Sequence, residues 1–140
     1  MWRRSTSQEG CWLMVFSYWA ECRLMVYTDL GVWIEARKLT NAIYTITKTF
    51  PKEEIYGLTN QMRRCAVSVP SNIAEGCGRQ TSKEKIYFLH IARGSLFELE
   101  TQCYLALDQK YLNEIQFEEI IEMILCKRLL NGFINYYKKL

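Results

Sequence analysis

Arg64, Ser68, Asn72, Glu75 and Arg79 recur at steps of four, four, three and four residues, which places them on one stripe of an α-helix. Guanidinium, hydroxyl, amide and carboxylate groups in that order are suited to hydrogen-bonded recognition. They are ill suited to a merely solvated face, which would be rich in lysine and glutamate and lie opposite the core. By helix geometry this stripe sits about a quarter-turn from the apolar stripe of Ile55, Leu58, Met62, Cys65, Val69 and Ile73. Further along, Arg93 and Glu100 share a face two turns apart, too far to pair within one helix, so each needs a partner on another helix or another subunit. Arg64, Ser68, Asn72, Glu75, Arg93 and Glu100 are therefore read as a structural polar network, of the kind that fixes register or oligomeric state more than it stabilises.

Other chemistry finds little support. Glu98 and Glu100 are two apart on a helix and diverge by about 200°, so they cannot act on one substrate. His90 is the sole histidine. With Glu75, Glu98 or Glu100 it would give a carboxylate-bundle metal site only through Glu-x-x-His motifs, which are missing. Gly76-Cys77-Gly78-Arg79 lacks both the preceding strand and the following lysine of a phosphate loop. The cysteines at 11, 22, 65, 77, 103 and 126 form no Cys-x-x-Cys pair. Zinc ligation needs that local spacing, so Cys65 and Cys103 read as small buried apolar residues in a reducing cytosol. No catalytic residue, metal or cofactor is expected, and the protein is placed in the cytoplasm.

A binding surface is the remaining possibility. The net charge of +3 permits an anionic partner without demanding one. Arg63, Arg79, Lys83, Lys85, Lys127, Arg128, Lys138 and Lys139 are the candidate nucleic-acid contacts, repeated around the axis if the chain forms a ring; alternatively they only keep the surface soluble. Tyr56, Tyr87 and Tyr111 are candidates for stacking on bases, with packing as the alternative role.

These side chains must be positioned by helices. The chain has 140 residues, 49% of them hydrophobic, and two prolines, which suits one globular domain. The first helix should run from Leu30 to Phe50, capped by Asp29 and stopped by Pro51. Trp33, Ala36, Thr40, Ile43, Thr47 and Phe50 mark its inner face. The second should span Glu53 to Cys77, its acidic first turn meeting the helix dipole and Gly76 and Gly78 closing it in a left-handed cap. Pro70 lies inside it and should kink it, with Ser68 and Ser71 satisfying the freed backbone groups. The kink either lets the helix wrap the bundle or presents the polar stripe to a ligand. The third helix should start after Thr81 or Ser82, where Thr81-x-x-Glu84 has capping-box spacing, and reach Gln109. Leu89, Ala92, Leu96, Leu99, Cys103 and Leu107 form its core stripe. A second stripe, from Ile86 to Tyr104, is more apolar than a surface helix needs, which suits self-association, and Gly94-Ser95 would let another helix approach closely. The fourth should run from Asn113 or Glu114 to Lys138, made broadly apolar by Ile120, Ile121, Ile124, Leu125, Leu129, Leu130, Phe133 and Ile134. Short connections then give an all-α, antiparallel up-down-up-down four-helix bundle.

Several separated motifs also carry a family likeness. Asp29-Leu30-x-Val32-Trp33, Phe50-Pro51, Ser68 to Gly76 with Gly78-Arg79, Ala92 to Gln102, and Leu130-Asn131-Gly132 occur in order. In these the chain, from about Tyr27 to its C-terminus, resembles the bacterial four-helix-bundle proteins first met as open reading frames in intervening sequences of 23S ribosomal RNA. The resemblance implies a bundle that assembles into a ring, typically a homopentamer, without implying a settled activity. One branch, the accessory protein of diversity-generating retroelements, binds nucleic acid and a reverse transcriptase. The partners expected are thus further copies of the chain and structured RNA or DNA or a nucleic-acid enzyme, with no membrane. A protein-interaction module without nucleic-acid affinity is the alternative.

Residues 1–24 fall outside this likeness. Arg3 and Arg4 precede an apolar run from Cys11 to Ala20 that resembles a signal peptide but ends in bulky Tyr18 and Trp19 and is too short to span a bilayer. Met25 is read as the natural start, residues 1–24 as an extension outside the fold, and residues 25–140 as the domain; weak membrane targeting is the alternative.

Overall fold

The structure, a computed structural model, describes residues 26–140. The readings of residues 1–24 and of Met25 as the start lie outside that range. After a 3₁₀ turn at Tyr27–Asp29 come α1 (Gly31–Ile46), α2 (Leu58–Cys77), α3 (Ser82–Asp108), α4 (Glu114–Ile124) and α5 (Lys127–Lys138), with no strand among the described residues. Cross-helix contacts fix the directions. Arg63 meets Thr47 while Ala66 meets Thr40, so α1 and α2 run oppositely. Cys65 meets Ser95 while Gly76 lies against Phe88, which reverses α3 relative to α2. Lys85 meets Tyr137, Arg93 meets Asn131 and Glu100 meets Lys127, which reverses α5 relative to α3. With α4 leading into α5 as one broken rod, the chain is an all-α antiparallel four-helix bundle.

The core follows the apolar stripes. Ala36, Leu39 and Ile43 of α1 close on Met62, Val69 and Ile73 of α2, on Leu89, Leu96 and Leu99 of α3, and on Ile120, Ile124, Leu130 and Ile134, all buried. Cys65, Cys103 and Cys126 are buried as well. Ile55 departs from its expected stripe and is exposed.

Several helix ends differ from expectation, each for a local reason. Asp29 does not cap α1, because it is drawn into the 3₁₀ turn, where its N–H donates to Val26 O at 2.9 Å, and Leu30 takes the cap position without a side-chain bond. The first helix narrows to a 3₁₀ turn at Thr47–Thr49 and Phe50 is extended, as a residue before proline must be. The second helix begins later than Glu53: Lys52–Tyr56 is a 3₁₀ turn, and the chain breaks at Gly57. Glu54 nevertheless serves the α2 dipole, accepting from Leu58 N–H at 2.8 Å while its other oxygen accepts from Tyr111 O–H at 3.1 Å. Neither Gly76 nor Gly78 is left-handed; Gly78 is helical in backbone and Gly76 is buried inside α2. Gly76 is there for proximity, because a Cβ would sit 3.2 Å from Lys85 O and 3.3 Å from Phe88 Cβ. The Thr81–Glu84 capping box forms as expected, and Asn113 with Gln116 makes a second at the start of α4.

The fourth helix is not continuous. It tightens at Leu125 and Cys126, where N–H groups reach back three residues to Glu122 O and Met123 O. The phase of the sequence explains this. An unbroken helix burying Ile120 and Ile124 would next turn Lys127, Arg128 and Asn131 inward. The tight turn rotates α5 so that Leu130 and Ile134 are buried instead.

Pro70 removes the N–H that would have bonded Ala66 O. The freed carbonyl is satisfied from α1, by Thr40 Oγ1 at 3.0 Å, rather than by Ser68 or Ser71. Ser71 donates instead to Val67 O, and Ser68 turns toward α3.

Candidate functional site

Only part of the stripe on α2 meets a neighbouring helix. Ser68 and Asn72 face α3, where Ser68 Oγ and Ser95 Oγ are 2.9 Å apart and Asn72 Nδ2 donates to Ser68 O at 2.8 Å and Ser68 Oγ at 3.0 Å. Ser95 also donates to Ile91 O at 3.2 Å, and Cys65 Sγ donates to Ser95 O at 2.9 Å. Ser95 is buried and joins this seam although its place beside Gly94 suggested only a close-approach spot. Its position on the α3 flank that faces Ser68 was the available signal. Glu75 near the end of α2 pairs with Arg79, just past that end, at an exposed site. Arg93 donates to Asn131 at 3.4 Å, and Glu100 accepts from Lys127 at 3.0 Å, both across the α3–α5 interface. Arg64 is exposed, with no ion pair among the described residues. Within one chain the six residues thus form separate groups: a hydroxyl–amide seam, an exposed pair, and two contacts to α5.

The candidate nucleic-acid contacts also separate. Arg79, Lys83, Lys85, Lys138 and Lys139 gather at one end of the bundle, where the α2–α3 turn meets the end of α5. Arg79 lies over the Phe88 ring at 4.6 Å and Lys85 over the Tyr137 ring at 5.1 Å. Lys127 is half-buried, bound to Glu100 and over the Phe97 ring, and Arg128 is exposed beside it. Arg63 stands apart between α1 and α2, over the Tyr44 ring at 5.0 Å, its Nε donating to Thr47 at 2.8 Å. Of the stacking candidates, Tyr56 and Tyr87 are exposed, whereas Tyr111 packs on Phe50 and is tied to Glu54.

The chemistry of the interior is inert. Burial pushes the Cys65 and Cys103 thiols up to about 12 and the Cys126 thiol up to about 11, where they are poor nucleophiles. Burial, with Arg93 and Lys138 nearby, holds His90 below its ordinary value, so it is a neutral side chain at pH 7. No group of three His, Cys, Asp or Glu side chains among the described residues is placed to hold a metal ion. No helix among them is long and apolar enough to cross a membrane.

Two comparisons bear on this arrangement. Residues 28–132 match the family described as 23S rRNA-intervening sequence protein. A crystal structure of a protein of unknown function from the S23 ribosomal protein family of Bacteroides thetaiotaomicron VPI-5482 superposes with a TM-score of 0.69 at 23% identity, covering 74% of this chain and 97% of that one. At that identity the likeness speaks for the fold alone. No curated protein matches the chain. The match takes in α1 to α4 and the first half of α5, and on it this chain belongs to the 23S rRNA-intervening sequence protein family.

Proposed function

We propose that the protein is a non-enzymatic, cytoplasmic scaffold that forms a homo-oligomer, a pentamer, and contacts structured nucleic acid or a nucleic-acid enzyme through basic patches. The observation that carries this is the gathering of Arg79, Lys83, Lys85, Lys138 and Lys139 at one end of the bundle. The nearby carboxylates are already engaged there, Glu75 with Arg79 and Glu84 within its capping box. An oligomer would multiply that charge around its axis. Self-association is supported by α3, whose outward face carries Tyr87, Ile91, Phe97, Tyr104 and Leu105, each more than a third exposed. A helix that apolar on its solvent side fits burial against a partner.

The same face favours a second reading, a protein-interaction module without nucleic-acid affinity. Titrating labelled single-stranded and duplex RNA with the full chain at two salt concentrations separates them. Binding that weakens steeply with salt supports the first reading. No binding at low salt selects the second. Light scattering on the same sample gives the mass, and a monomer would remove the oligomer from both.

A further inference from the structure

We propose that the trough between α1 and α2 binds single-stranded nucleic acid, with Arg37 and Arg64 on phosphates and Tyr44 stacking on a base. This rests on the nucleic-acid reading above but assigns a different surface. Arg37, Asn41 and Tyr44 recur at steps of four and three on the α2-facing flank of α1, and Lys48 follows in the 3₁₀ turn after it. Opposite them, Asn60, Arg64, Val67 and Ser71 recur at steps of four, three and four along the outer ridge of α2.

The trough holds two open depressions. One, of about 540 Å³, is lined by Tyr44, Asn60, Arg63, Arg64, Val67 and Ser68. The other, of about 330 Å³, includes Trp33, Arg37, Asn41, Pro70 and Ser71. Neither lining contains a carboxylate. Asp29 lines an adjoining depression that shares Trp33, Arg37 and Asn41 with the second, and Glu98 lines one that shares Arg64 and Ser68 with the first, toward α3. Among the described residues neither Arg37 nor Arg64 has an ion-pair partner.

The site is held in place from beneath. Thr47 donates to Ile43 O at 2.7 Å and accepts from Arg63 Nε at 2.8 Å, and the Arg63 guanidinium backs the Tyr44 ring. Arg37 stands over the Trp33 ring at 5.7 Å. Arg37 and Tyr44 are seven residues apart, roughly 10 Å along the helix axis. Each depression therefore combines an aromatic face, a cation and an amide: a base platform, a phosphate contact and a group for a base edge. An acidic polypeptide would use the cations but leave the aromatic faces and the amides of Asn41 and Asn60 without a matched partner.

The test is fluorescence anisotropy of the full chain with labelled rU₁₂, a 12-base-pair duplex RNA and polyglutamate at several salt concentrations. Arg64→Gln and Arg37→Gln should each weaken rU₁₂ by roughly 3–10-fold at low salt and flatten the salt slope by about 0.7, one phosphate each. Tyr44→Leu should weaken it by about tenfold without changing the slope. These side chains are exposed, and unchanged circular dichroism would show that the fold persists. Duplex or polyglutamate binding as tight as rU₁₂ would overturn the proposal. So would unchanged binding by the trough variants alongside weakening by Lys83→Gln with Lys139→Gln, an outcome that leaves the end cluster as the nucleic-acid surface. Absence of binding to every nucleic acid would overturn both readings.

Discussion

The carbonyl that Pro70 leaves without a helical donor depends on one hydroxyl of the neighbouring helix, and replacing Thr40 by valine removes it. Thr40 Oγ1 lies 2.9 Å from Ala36 O and 3.0 Å from Ala66 O. Its single proton is shared between the two, but their needs differ. Ala36 O has its own helical donor in the Thr40 N–H, whereas Ala66 O lost its donor to proline. Ala66 is almost wholly buried, so in Thr40→Val its carbonyl keeps no protein partner. An unpaired buried carbonyl costs about 1–3 kcal/mol. The shared proton puts the expected loss in the lower part of that range, about 1–2 kcal/mol, or roughly 3–8 °C in Tm for a domain of this size. In a Pro70→Ala background residue 70 regains an N–H and can rebuild the α-helical bond. There the same Thr40→Val change should cost only about 0.5 kcal/mol or less. Urea denaturation followed by circular dichroism on all four proteins, at one protein concentration, gives the coupling energy directly. The expected coupling is about 1 kcal/mol. An equal penalty in both backgrounds would refute the reasoning, since it would show that the carbonyl at residue 66 does not rely on Thr40.

Gly76→Ala should destabilise by about 1–3 kcal/mol despite alanine's better helix propensity, because the new Cβ is crowded by Lys85 O and Phe88 Cβ; an unchanged urea midpoint would show that the α2–α3 turn yields freely. Glu100→Gln should cost about 1–2 kcal/mol by leaving half-buried Lys127 without its anion, whereas Glu75→Gln, at an exposed pair, should stay within about 0.5 kcal/mol; equal costs in denaturation would contradict the burial argument. Above pH 9 the unfolded thiols ionise while Cys65, Cys103 and Cys126 stay protonated up to about 11–12, so the unfolded state binds fewer protons. The thiol contribution is therefore complete below pH 9 and falls as pH rises toward 11–12, to be read as a declining urea midpoint; a thiol reagent at pH 8 should label these three residues only as fast as the protein opens.

The bundle was legible because its apolar stripes are unambiguous: Leu89, Ala92, Leu96, Leu99 and Cys103 can face only one way on a helix, and all are buried. The Thr81–Glu84 box was legible because both partners lie within four residues. What escaped depends on distant partners or on phase. Reading Ile120 to Ile134 as one apolar block hid the fact that Ile124 and Leu130 cannot share a face of a continuous helix, so the break at Leu125–Cys126 was missed. Glycine beside a helix end suggested a left-handed cap, but Gly76 answers to Phe88 on another helix. Ser68 and Ser71 were nearest to Pro70 in sequence, yet the hydroxyl that serves Ala66 comes from Thr40, twenty-six residues away. Among the eight cations, sequence alone could not separate Lys127, which is held by Glu100, from the five that share one end.

The polar stripe on α2 also shows where function is not to be sought. Of the two roles for the kink, presenting the stripe to a ligand requires groups with hydrogen-bonding capacity to spare. Ser68, Asn72, Ser95 and Cys65 spend most of theirs on one another and on the carbonyls of Ser68, Ile91 and Ser95. A ligand entering that seam would have to break bonds it could at best replace, with little net gain. The seam therefore acts as a specific lock between α2 and α3, in which a hydroxyl facing a hydroxyl marks a register that an apolar contact would leave free to slide. Arg64 is the exception, since it shares the stripe but has no ion-pair partner among the described residues and points to the outer ridge. Its free guanidinium, with that of Arg37, turns attention from the interior of the bundle to the α1–α2 surface.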